Sequence, residues 1–279
     1  MHSHPILANQ PEPKRKHHVL YTDESIGKEA PIEIEHEKEV EPTTINVEED
    51  SVIEDIPGLE DITAVVVNFQ TEHLIKQAVE TFRAYYPTVQ LVIVDNHSTD
   101  GSREWIREQA DENTRIVLNW FNNGHGPALD REFNRAKTKF VFSFDSDVIF
   151  LRGGVLEEMQ ERIEDAYAIG WLRWVNLDGV AVDEKRAFNK DDYCPYIHPY
   201  CALYNRDTYL SLSPFVNKGA PAVDNMRDAK KRGLELVSFN PTSYVKHLIA
   251  GTRRMWEGHW FPGEKEPTSQ WVQGSSYPI

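Results

Sequence analysis

Between Ile62 and Phe144 the chain alternates between short uncharged runs rich in β-branched residues and amphipathic stretches of helical period. That alternation is the feature that most narrows its fold. Ile62-Thr63-Ala64-Val65-Val66-Val67 carries no charge and reads as a strand buried on both faces. His73 to Tyr86 then places Leu74, Ile75, Ala78, Val79, Phe82 and Tyr86 on one helical face, and Pro87 ends the helix. Leu91 to Asp95 is a second strand, Gly101 to Ala110 a short helix, and Arg115 to Leu118 a third strand. Pro127 suits a first helical turn and opens a helix with Ala128, Leu129, Phe133 and Ala136. Phe140 to Phe144 is a fourth strand. Strand–helix units in this order predict an α/β fold: an open, mostly parallel central sheet with helices on both faces. Ligands of such sheets bind outside the carboxyl ends of the strands.

Charge narrows the partners. The formal charge of the 279 residues is −15, which argues against a dedicated nucleic-acid binder. Residues 1–61 hold 16 acidic and 5 basic side chains, a net of −11, leaving −4 for residues 62–279. The first 61 residues therefore read as an acidic, partly disordered leader; the Ile32-Glu33-Ile34-Glu35 alternation keeps a docking arm or short edge strand open. Cys194 and Cys201 fit neither a zinc pattern nor a disulfide framework. No run is long and apolar enough for a spanning helix, and no signal peptide opens the chain, so a cytoplasmic protein is expected, with the inner membrane surface as the alternative.

The strand ends are polar. Asn68-Phe69-Gln70-Thr71-Glu72 follows the first strand and Asp95-Asn96-His97-Ser98-Thr99-Asp100-Gly101-Ser102 the second. Asn122-Asn123-Gly124-His125-Gly126-Pro127 follows the third and Asp145-Ser146-Asp147 the fourth. Two carboxylates one residue apart raise each other's pKa unless a cation neutralises them, and hard divalent cations take carboxylate oxygens together with substrate phosphates. The glycine pair Gly124/Gly126 either brings backbone amides close to an anionic ligand or makes a turn.

From Ile62 to about Gly251 the chain resembles a family 2 glycosyltransferase. Four motifs carry the resemblance in order: the strand ending in Val67-Asn68; Val94-Asp95-Asn96-His97-Ser98-Thr99-Asp100-Gly101-Ser102; Asn123-Gly124-His125-Gly126 with Asn134-Arg135-Ala136; and Phe144-Asp145-Ser146-Asp147. The resemblance implies a GT-A fold, with a Rossmann-like nucleotide-binding half over 62–150 and an acceptor half over 151–251. It implies inverting transfer from a nucleoside-diphosphate sugar, UDP- or dTDP-linked, to a hydroxyl acceptor, with Mn²⁺ or Mg²⁺ as cofactor, in glycan or polysaccharide biosynthesis. In that reading Asp95 accepts a ring N–H of the base, with Asn68, Asn96, Ser98 and Gly124 around the donor. Asp145 lies near the ribose or metal, and Asp147 binds the ion.

The second half supplies the remaining expectations. The resemblance places a general base nine residues before a closing glycine; Asp224 stands nine before Gly233, with Asp228 as fallback. The acidic residue that often precedes this base is absent, the chain reading Ala220-Pro221-Ala222-Val223. His247 is the implied third metal ligand, and Arg253 a contact to the diphosphate. Trp171, Trp174, His198 and Tyr200 are candidates to stack on a sugar acceptor, with core packing as the alternative. Residues 252–279 form an aromatic-rich extension that either packs back or makes a lid, an oligomer contact or a surface anchor. The acceptor is a glycan, lipid-linked glycan, protein or small molecule, and homo-oligomerisation is open. The rival to an enzyme is a non-catalytic sugar-nucleotide-binding or scaffold subunit acting through the acidic leader.

Overall fold

The structure, a computed structural model, describes residues 58–176, 179–182, 193–216 and 220–248. The leader up to residue 57, the C-terminal extension and Arg253 lie outside the described residues.

Strand β1 (Ile62–Asn68) is buried at every position because both of its faces are covered. Its side chains alternate between two cores. Ile62, Ala64 and Val66 join one cluster with helix α1 (Glu72–Tyr85) and helix α4 (Val155–Ile163). Val65 and Val67 join the other, with helix α3 (His125–Arg135) and helix α6 (Val223–Lys231). Ile106 of the short helix α2 (Ser102–Glu108) belongs to the first cluster.

β1 pairs in parallel with β2 (Gln90–Asp95) on one side and with β4 (Phe140–Asp145) on the other, and β2 pairs in parallel with β3 (Thr114–Leu118). The chain thus reverses its lateral progress between β1 and β4, and the carboxyl ends of those two strands frame the switch-point crevice. The elements foreseen between Ile62 and Phe144 all form, with ends shifted by one or two residues.

Beyond β4 the same sheet continues through β8 (Tyr193–Asn205), β6 (Ala168–Asn176) and the two-residue β7 (Ala181–Val182), all antiparallel, with β9 (Leu236–Ser238) parallel to β6. One sheet therefore runs through both halves. Two irregularities shape what lies at its centre. In the β6–β8 ladder Gly170 faces Ala202 and Leu172 faces Ile197, so His198, Pro199, Tyr200 and Cys201 stand opposite Trp171 alone. Pro199 has no N–H to give to a ladder, and its carbonyl accepts from Ser143 Oγ of β4 at 2.6 Å. A bulge of this kind re-aims side chains beside the strand end it adjoins. The second is a separate two-stranded ladder. β5 (Val148–Phe150), directly after the β4 turn, pairs antiparallel with β10 (Val245–His247), with His247 opposite Val148. Phe150 anchors it in the core, 5.2 Å from Phe82 and 5.3 Å from Phe144 between ring centroids.

No helix among the described residues is long and apolar enough to cross a membrane.

Candidate active site

The β1 and β2 ends are locked together by side chains. Asn68 Nδ2 donates to Asp95 Oδ1 (3.1 Å), Ser98 Oγ (3.0 Å) and Ser102 Oγ (2.8 Å). Asp95 Oδ2 accepts from the Ser98 amide (3.1 Å) and from Arg103 Nη1 (2.6 Å). The Asp95 side chain is 0% exposed, and donors within the protein already meet both of its oxygens. The residue expected to read a base thus holds the loop in place. Asp100 does similar work one step on: its carboxylate accepts from the Glu72 amide at the start of α1 and from Ser102 at the start of α2. Gln70 (φ 58°) and His97 (φ 71°) take left-handed backbone on these facing loops, an arrangement costing roughly 1 kcal/mol each that clusters at ligand sites. Replacing Asp95 by Ala removes the carboxylate that pairs with Arg103 and one of the acceptors of Asn68, and is expected to lower unfolding free energy by about 3 kcal/mol in a denaturant titration.

Asn96, also buried, donates from Nδ2 to the Gly124 carbonyl (3.1 Å) and accepts at Oδ1 from Asn119 Nδ2 (2.6 Å). Asn119 Oδ1 in turn accepts from Arg131 Nη1 (2.7 Å). Arg131, Arg115 and Arg135 converge on the buried carboxylate of Glu132 in α3. This chain of contacts fixes the α3 entrance, where Gly124 has φ +86°. A Cβ on Gly126 would overlap the backbone carbonyl of Val216, which cannot yield as a side chain can. Gly126→Ala is therefore expected to cost about 3 kcal/mol of stability, read as a fall in Tm.

Asp145 ends β4 in register with Val67 of β1, and Ser146 accepts or shares a hydrogen bond with Thr71 at 3.2 Å. Asp145, Asp147 and His247 bring one ligand atom each within 4.8 Å of one another. The β5–β10 ladder makes this meeting possible, setting His247 Nε2 3.3 Å from Asp147 Oδ1 and fastening the Leu248 amide to the Asp147 carbonyl (2.9 Å). Burial pushes the Asp145 carboxyl above its ordinary value; His125 and His247 oppose the rise and Asp147 adds to it. Its Oδ1 atom is buried and has no hydrogen-bond partner among the described residues, while His125 Nε2 stands 3.5 Å away. Burial lowers His247, but the Asp147 hydrogen bond and the Asp147 and Asp145 charges outweigh it and hold the imidazole above its ordinary pKa. Two carboxylates and an imidazole, with a buried carboxylate oxygen lacking a donor, form a donor set suited to a divalent cation such as Mn²⁺ or Mg²⁺.

The bulge in β8 delivers three of the four acceptor candidates to this place. Tyr200 stacks on His247 (4.4 Å, 11°), Trp171 meets Tyr200 edge-on (5.6 Å), and His198 lies 5.2 Å from Tyr200. Burial pushes His198 down to about 4, with His247 and Arg173 contributing, so it is neutral near pH 7. Trp174 lies further along β6, opposite Pro195 and Val182, outside this group of ring contacts.

Asp224 occupies the first turn of α6, 32% exposed, with Arg227 Nη1 3.5 Å away. The α6 entrance is tied to the sheet: the Ala222 backbone hydrogen-bonds Tyr196, whose hydroxyl also feels the Asp145 charge. Asp228 is engaged elsewhere, accepting from the Ser213 amide (3.1 Å) and Arg232 Nη2 (3.1 Å). Burial raises its carboxyl, but Arg232 and Ser213 outweigh burial and hold it below the ordinary value.

Sequence reasoning missed His125, Arg103 and Arg131. His125 sits between the two glycines, in the loop already singled out, and only β4 packing shows that it faces Asp145. Arg103, eight residues after Asp95, lies one residue beyond the motif.

Residues 63–211 match the Glycosyl transferase family 2, and the chain belongs to that family. Among curated relatives, TuaG of Bacillus subtilis (strain 168), a glycosyltransferase assigned to teichuronic acid biosynthesis, is 26% identical over 103 residues. That stretch is 36% of this chain and 41% of TuaG, so the match spans less than half of the relative. GalNAc-T7, solved with UDP, GalNAc and Mn²⁺, superposes with a TM-score of 0.54 at 11% identity, over 69% of this chain and 44% of that one. The mannosyltransferase PcManGT of Pyrobaculum calidifontis, solved with GDP-Man and Mn²⁺, gives a TM-score of 0.49 at 18% identity, over 64% and 55%. The fold is that of the GT-A glycosyltransferases.

Proposed function

We propose that this chain transfers a sugar from a nucleoside-diphosphate sugar to a hydroxyl acceptor, with inversion and with dependence on Mn²⁺ or Mg²⁺. The convergence of Asp145, Asp147 and His247 at the switch point of the sheet carries this reading. Asp145, Asp147 and His247 would hold the ion, whose chemistry when bound is to neutralise charge on the diphosphate leaving group. The loops after β1 and β2, held by the Asn68–Asp95–Arg103 network, would form the nucleoside side, with Asn68, Asn96, Ser98 and Gly124 shaping it. In this scheme Asp95 positions that loop.

On the acceptor side, Asp224 takes the proton of the attacking hydroxyl. It is the more exposed of the two candidate bases, at 32% against 25%, and stands in the first turn of α6, whereas Asp228 is committed to Ser213 and Arg232. Trp171 is the partly exposed ring on this side and neutral His198 offers a ring nitrogen to acceptor hydroxyls, whereas Tyr200, 1% exposed and stacked on His247, packs in the core and is not an acceptor contact. Assignment to glycan or polysaccharide biosynthesis rests on the likeness to TuaG. The non-catalytic scaffold reading relies on the acidic leader, which lies outside the described residues up to position 57.

The direct test is release of nucleoside diphosphate from UDP- and dTDP-sugars with Mn²⁺, with and without EDTA. UDP-sugars come first because UDP and Mn²⁺ accompany GalNAc-T7. EDTA-sensitive release is expected; no metal-dependent release or binding with any donor would refute the proposal.

A further inference from the structure

Next to the proposed acceptor residues stands a cation that no part of that scheme uses. Arg173 is exposed on β6, and its guanidinium carbon lies 3.9 Å from the ring centroid of Trp171. Among the described residues no carboxylate pairs with it. By contrast, Arg103, Arg115, Arg131, Arg162, Arg227 and Arg232 each meet one. From Arg173 an unbroken series of ring contacts leads to the carboxylate cluster: Trp171 to Tyr200 (5.6 Å), Tyr200 to His247 (4.4 Å), His247 to Asp147 (3.3 Å). In the ladder Arg173 is directly opposite Tyr196, the residue that meets the Ala222 backbone at the entrance to α6 and hence to Asp224. Its charge is felt at His198, Tyr200 and His247.

We infer that Arg173, resting over the Trp171 ring, is the anion-binding element of the acceptor subsite, and that the acceptor carries a phosphate or carboxylate group. The inference rests on the donor-site reading above. A guanidinium stacked on an indole keeps its planar fork of donors free for a two-point contact with an oxyanion. Because stacking already restrains the long side chain, little further rotamer freedom is lost when the anion docks. Both candidate anions present the same paired oxygens, so the fork does not choose between them, and a neutral sugar offers it hydroxyl acceptors but no charge.

The test is a tryptophan-fluorescence titration of the full chain in saturating UDP and Mn²⁺, with Trp171→Phe identifying the signal of that ring. The probes are glucose 6-phosphate, methyl β-D-glucuronide and the neutral methyl β-D-glucoside. At least one anionic sugar is expected to bind about tenfold more tightly than the neutral one, the size of one charge-assisted contact at an exposed site. Which of the two does so identifies phosphate or carboxylate as the group read. Arg173→Gln is expected to abolish the preference and Arg173→Lys to keep part of it, with UDP affinity unchanged in both. Equal binding of all three sugars by the wild type, or a preference that survives Arg173→Gln, overturns the inference. So does a loss that falls on UDP, which would move Arg173 to the donor. Failure of the wild type to bind either UDP or dTDP with Mn²⁺ overturns the donor-site reading and this inference with it, and the nucleotide measurement alone tells that case apart.

Discussion

Asp147→Ala is expected to reduce sugar transfer by about 10³-fold while leaving the fold intact. Loss of a charge-stabilising cation at a departing diphosphate removes several kcal/mol of transition-state stabilisation, and each 1.36 kcal/mol is about tenfold in rate. The side chain is 7% exposed and sits against His247 at 3.3 Å, so its removal takes away one of the three clustered ligand atoms. Calorimetric titration with Mn²⁺ and a single-turnover transfer assay measure the two halves of the claim. Wild-type affinity for Mn²⁺ in the variant would remove Asp147 from the site. Circular dichroism and Tm keep an unfolded variant from being mistaken for a metal-free one.

Asp224→Asn is expected to leave donor and Mn²⁺ binding unchanged and to lower the transfer rate by about 10²- to 10⁴-fold, the usual range for a general base. Asn keeps the shape and loses the proton acceptor. The contact with Arg227 is a partly exposed ion pair worth little to stability, and circular dichroism and Tm check that the variant is folded. Asp228→Asn provides the contrast: it weakens the ties to Arg232 and Ser213, lowering Tm, and retains transfer. If Asp228→Asn abolishes transfer at unchanged Tm and Asp224→Asn does not, the base is Asp228.

The nucleotide-side half was the most legible in the sequence, and the reason is physical. A strand buried on both faces must be uncharged over its whole length, so Ile62–Val67 and Phe140–Phe144 announce themselves locally, and the polar residues after them mark the strand ends. Gly124 and Gly126 likewise carry their meaning in their own lack of a side chain. What local pattern does not contain is register. That four residues of β8 stand against Trp171, or that β10 lies beside β5, depends on pairings between positions far apart in the chain. Hence Tyr200 and His198 could be named as aromatic candidates without any sign that they surround His247. The partners of Asp95 were obscured for a related reason: nothing in the local pattern says that a carboxylate at a strand end meets an arginine eight residues on.

The short β5–β10 ladder has a consequence for how the protein is made. Asp147 and His247 are separated by about 100 residues, and closing a loop of that length carries an entropic cost that local helix and strand formation does not. During synthesis the strands that bear Asn68, Asp95 and Asp145 are all available well before His247 emerges, so a nascent chain can hold a nearly finished switch-point crevice that still lacks the third member of the proposed cation site. Completion of that cluster then coincides with docking of the last described strand. A chain cut before Val245 should retain the parallel strands yet remain a poor binder of Mn²⁺.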